Sequence, residues 1–73
     1  MTDLNALIQF LVDRFPTQRF NLVNWQNTGG FEADINLIHG KGSDPLTAVL
    51  NLCFNLKITE EDYQEWHSAR PTN

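Results

Sequence analysis

Between Leu4 and Phe15, the apolar residues Leu4, Leu7, Ile8, Leu11, Val12 and Phe15 recur at the i, i+3, i+4, i+7, i+8, i+11 spacing of one helical face. Thr2 or Asp3 can accept hydrogen bonds from the first unpaired N–H groups, and Pro16 disfavours helical backbone at Phe15, so a helix is predicted over 3–15. The period then changes. Residues 19–26, "RFNLVNWQ", are rich in aromatic and branched side chains and too short for a second amphipathic helix, which predicts a strand. Phe20 and Leu22 fall on one of its faces and Val23 and Trp25 on the other, a pattern that implies burial on both faces, a bulge, or one apolar face left for a partner. "NTGG" at 27–30 supplies residues that tolerate positive φ in a hairpin connection. In 31–38, Phe31, Ala33, Ile35 and Leu37 alternate with Glu32, Asp34 and Asn36, the mark of a second strand with one face buried and one wet; Ile38 alone breaks the polar side.

From Pro45 to Lys57 the helical period returns, with Leu46, Val49, Leu50, Cys53 and Phe54 on one stripe and Ala48, Leu52 and Leu56 widening it. So broad a face predicts burial against the sheet and the first helix together. A short last helix is predicted from Glu60 to Ser68, capped by Thr59, with Glu60, Glu61 and Asp62 at its positive end and Ile58 stapled onto Tyr63. The fold class is therefore α+β: an N-terminal helix, an antiparallel β-hairpin forming a small sheet, a main helix packed on that sheet and a short C-terminal helix. One domain spans 1–73, with 69–73 read as a frayed tail.

Composition narrows the function classes. With 41% apolar and 19% charged residues, the chain is that of a folded protein. Its lone cysteine, Cys53, cannot form an internal disulfide, and no cysteine pair offers a metal site. The N-terminus has no basic region of the secretory kind, and no apolar run approaches the roughly 20 residues needed to cross a bilayer. These features predict a cytoplasmic protein without a membrane segment. A net charge of -4, with Arg14, Arg19, Lys41, Lys57 and Arg70 scattered along the chain, argues against nucleic acid as a partner.

The stretch "HGKGSDPL", 39–46, has the look of a phosphate loop, but the upstream glycine of a Walker motif is missing and Ile35 stands in its place. Gly40, Lys41, Gly42 and Ser43 ahead of a helix start still form a candidate anion or nucleotide site. Asp44 competes with that reading, because its carboxylate suits the helix N-cap, and Pro45 suits the first helical position. On this reading the loop is a hinge between the second strand and the broad helix, with Lys41 at its tip. His39 and His67 lack partners at ligand spacing, so no metal and no cofactor are expected. Cys53 lies on an apolar stripe, which suits a small buried group better than a nucleophile. Glu32 and Asp34 share a strand face; such pairs can do acid–base work or hold a hard cation, but a solvated sheet face is the stronger account of them. No catalytic residues are assigned and no enzyme is expected. Trp25, Tyr63 and Trp66, with Glu32 and Asp34, are the candidate partner-binding residues, since Trp and Tyr are enriched at binding hot spots. The competing reading is that Tyr63 and Trp66 cover the sheet edge.

Gly42, Asp44, Pro45, Leu46 and Ala48, entering the broad helix, resemble the G-x-T/D-P-L-x-A signature of small phage proteins called the phage ABA sandwich domain. Those proteins also begin with an amphipathic helix and carry a Trp in the middle strands, as Leu4 to Phe15 and Trp25 do here. The chain departs from them at Asn51 and Leu52, where they often carry a basic residue. The resemblance implies a bacteriophage accessory protein in the host cytoplasm that binds, and in doing so inhibits, a host or defence protein. The alternatives are the anion or nucleotide binder, or a bacterial protein that functions as a homo-oligomer.

Overall fold

The computed structural model describes residues 3–25, 27 and 29–70. Thr2, Gln26, Thr28 and 71–73, on which the alternative first cap, the end of the first strand, part of the hairpin turn and most of the tail fall, lie outside the described residues, while Ala69 and Arg70, read as the start of the tail, are the last residue of the third helix and its C-cap. The elements run α1 (Leu4–Arg14), β1 (Asn21–Trp25), β2 (Gly30–Ile35), β3 (Ile38–Gly42), α2 (Pro45–Asn55) and α3 (Glu60–Ala69). The strands form one antiparallel sheet in the order β1-β2-β3, and α2 packs on β2 and β3, so the architecture is α+β. α1 lies against α2 and α3.

Each helix begins where a side chain takes up free backbone donors. Asp3 accepts from the Ala6 N–H at 3.2 Å to start α1. Asp44 accepts from the Thr47 N–H at 2.8 Å and the Thr47 hydroxyl at 2.9 Å, with Pro45 in the first turn of α2. Thr59 and Asp62 form a reciprocal capping box at α3, in which the Asp62 N–H donates to Thr59 Oγ1 at 3.1 Å and the Thr59 N–H to Asp62 Oδ2 at 3.0 Å. α2 ends in a Schellman turn: Lys57 adopts φ +61°, its N–H donates to the Phe54 carbonyl, and the Ile58 N–H reaches back to Cys53.

Two readings of 31–42 are corrected. The second strand stops at Ile35, and Asn36 and Leu37 form a two-residue turn with φ of +54° and +66°, the backbone of a type I′ hairpin. Leu37, expected on the buried face, is 93% exposed at the tip of that turn. Ile38, read as the end of the second strand, and 39–42, read as part of a hinge, are a third strand whose register pairs Phe31 with Gly42, Ala33 with Gly40 and Ile35 with Ile38. Gly40 and Gly42 face α2, and they let the helix rest directly on the strand. A Cβ on Gly40 would collide with the Leu52 backbone and stand 2.5 Å from the Ala48 carbonyl oxygen, and one on Gly42 would stand 2.6 Å from the Ala48 nitrogen. The small Ala33 and Ala48, both fully buried, complete this close approach.

The core comprises Leu7, Phe10 and Leu11 of α1, Ala33 and Ile35 of β2, and Ala48, Val49, Leu52 and Cys53 of α2, closed by Ile58 and Tyr63. The apolar face of α2 is rotated from the expected stripe. Ala48 and Leu52 lie at its centre, whereas Phe54, expected to be buried, points outward at 79% exposure.

Candidate functional site

All three helices are excluded from one face of the sheet, and alternation along the strands decides what that face presents. Phe20 and Leu22 turn toward the core, leaving Val23 and Trp25 outward at 40% and 50% exposure. The β1–β2 register runs unbroken from Asn21 opposite Asp34 to Trp25 opposite Gly30, so no bulge redirects them. Across the outer face, one row reads Asn21, Asp34, His39 and the next Val23, Glu32, Lys41.

Glu32 organises this surface. Its Oε1 accepts the Trp25 indole N–H at 2.9 Å, and its Oε2 stands 3.1 Å from His39 Nδ1. Both contacts follow the diagonals of an antiparallel sheet, where side chains two residues out of register meet. The Glu32 side chain is thereby covered to 17% exposure while the His39 ring stays open. In the neighbouring row, Asn21 Nδ2 donates to Asp34 Oδ1 at 3.1 Å. Lys41, opposite Glu32, extends into solvent from the middle of a strand. Beside Trp25, where Gly30 presents no side chain, a shallow depression of about 490 Å³ opens, lined by Trp25, Gly30, Phe31, Glu32, Lys41 and Gly42.

Trp25, Glu32 and Asp34 are thus brought together on this face, while Tyr63 and Trp66 are not. Tyr63 is buried with its ring edge-on to Phe10 at 5.5 Å, and Trp66 lies 5.3 Å from Phe10. The Trp66 indole N–H donates to Asp13 Oδ2 at 2.8 Å, and the Arg70 guanidinium sits 4.6 Å above its ring. These aromatics fasten α3 to α1 rather than cover the sheet edge. The bond from Trp66, with a second from Gln9, holds the Asp13 carboxyl below the usual aspartate range.

The candidate anion residues are distributed differently from a phosphate cradle. Gly40, Lys41 and Gly42 are strand residues, and the Thr47 N–H at the helix start already donates to Asp44. Two side chains of α2, Asn51 and Asn55, neither of them a candidate site residue in the sequence, bind the outer edge of this strand. Asn51 Nδ2 donates to the Lys41 carbonyl, and Asn55 Nδ2 donates to the His39 carbonyl at 2.6 Å. Their i, i+4 spacing against a glycine-alternating strand was the signal available.

Burial pushes the Cys53 thiol up to about 11, so the protonated form prevails at neutral pH. Among the described residues, no three His, Cys, Asp or Glu side chains gather as a metal site, and no helix is long and apolar enough to cross a membrane. No family model, curated protein or solved structure matches this chain.

Proposed function

We propose that this chain is a non-enzymatic, phage-encoded accessory protein that binds a host protein and blocks it, using the helix-free face of its sheet. The observation that carries the reading is the mounting of Trp25. Its indole N–H is tied to Glu32 while half of the residue stays open, so a large ring is held in one orientation beside Val23 and a shallow depression. A fixed, amphipathic ring loses little side-chain entropy on binding, which is why Trp serves well as an interface anchor. Lys41 beside the depression, and Asp34 and His39 farther along the same face, supply polar groups suited to an interface rim. The resemblance of Gly42 to Ala48 to the phage ABA sandwich domain supports the phage origin, and the net charge of -4 favours a protein over nucleic acid.

The test is affinity capture from a bacterial host lysate by the wild type, Trp25→Ala and Glu32→Ala, with exposed Glu61→Ala on α3 as control. Capture should be lost with Trp25→Ala, weakened with Glu32→Ala and kept with the control, each variant having an unchanged circular dichroism spectrum. Retention of every captured protein by folded Trp25→Ala would place the interface elsewhere.

A further inference from the structure

The two edges of the sheet are finished differently. On β3, the carbonyls of His39 and Lys41 face away from β2 and receive the amides of Asn55 and Asn51. Peptide groups of an antiparallel strand alternate in direction, so Ile38, Gly40 and Gly42 must pair with Ile35, Ala33 and Phe31. That parity turns the peptides of Gly30, Glu32 and Asp34 toward Trp25, Val23 and Asn21. It follows that the N–H and C=O groups of Leu22 and Asn24 point out of the sheet along β1, where no described residue bonds them.

Free strand edges are normally blunted by charge, proline, a bulge or a covering element. β3 is covered by the Asn amides and carries Lys41, but β1, "NLVNW", has none of these devices. It is also uncharged, although the chain as a whole carries -4. We infer that β1 is a self-pairing edge: two copies of this chain join β1 to β1 antiparallel, forming one continuous six-stranded sheet. Outward peptides at 22 and 24 fix the register. Leu22 of one copy pairs with Asn24 of the other in both directions, and Val23 meets its own copy across the two-fold axis. The meeting places an apolar pair on the outer face, where the Cβ atoms of a non-hydrogen-bonded pair come closest. Asp34 and Glu32 stand one strand back, so no like charges face each other at the seam. An acidic partner surface gains nothing from an uncharged edge, whereas an identical strand matches it peptide for peptide. The helix-free faces of both copies then form a single surface carrying two Trp25 rings.

Light scattering from micromolar to millimolar protein tests this, and the expected mass at the upper end is twice the 8.4 kDa of the chain. Val23→Lys sets two ammonium groups against each other, and Asn24→Pro removes an outward N–H that the internal ladder does not use. Both variants should be monomers with a native circular dichroism spectrum. In the wild type, amide exchange at Leu22 and Asn24 should slow with rising concentration, a reading that needs no variant to fold. A monomer at every concentration overturns the inference, as does a dimer that persists in both variants or exchange at those two amides that ignores concentration. Trp25→Ala leaves the edge peptides in place, so it should lose partner capture and keep the dimer mass, which separates this inference from the partner surface.

Discussion

Leu37 combines two costs at one position. A large apolar side chain is left 93% in water, and its backbone is held at φ +66°, where a Cβ crowds the following carbonyl. Asn-Gly is the pair that a type I′ turn accommodates best, and Asn36 already occupies the first place. Leu37→Gly should therefore raise stability by about 1 kcal/mol, read as a higher urea midpoint with an unchanged slope. A lower midpoint would mean that Leu37 makes contacts worth more than the strain. Cys53 shows the opposite balance, since its thiol is fully enclosed by α2 and core neighbours and behaves as one more small apolar group.

The glycines of β3 decide how closely helix and sheet can approach. Gly40→Ala would press a methyl group into the Leu52 backbone, and overpacking of this kind costs about 1–3 kcal/mol or unseats the helix. Thermal unfolding of this variant should occur well below the wild type, and an unchanged midpoint would mean that α2 does not rest on β3. The same glycines explain what the sequence made legible. α1 was readable as a helix from its apolar period between Asp3 and Pro16, although its buried face takes in Phe10 and leaves Val12 41% exposed; α3 was readable from its cap and acidic first turn, and Asp44-Pro45 marked the start of α2. β3 was not, because a strand whose core face is made of glycine has no apolar alternation to read, and because Leu37 continued the alternation of β2 past its true end. At the site, strand parity put Val23 with Trp25 and Glu32 with Asp34, but that the two pairs share one face depended on the β1–β2 register, which neither strand's own pattern specifies. The separation of Tyr63 and Trp66 from them depended on where α3 docks, which no local pattern specifies.

Across the whole molecule, three aspartates tie helices into place. Asp44 is held low by the Thr47 N–H and hydroxyl, Asp62 by the Thr59 N–H and hydroxyl, and Asp13 by the Trp66 indole and Gln9. All three lie below the ordinary 3.8. A depressed folded-state value means that the unfolded chain takes up protons first, so the stabilisation is complete above the unfolded value and lost as pH falls through the folded one. The melting midpoint should consequently drop as pH is lowered below about 4, and a midpoint that rose on acidification would contradict these contacts. α2 stands between the sheet and α1, so whatever sets its position governs everything stacked beyond it. A groove of glycine could let a helix slide along its own axis. The amides of Asn51 and Asn55 prevent this because four residues of helix advance about 6 Å and two residues of strand about 6.6 Å, nearly the same step. The two rulers coincide at one setting, and a shift of a single residue would take both amides off their carbonyls together, so helix and strand are keyed to each other as a vernier.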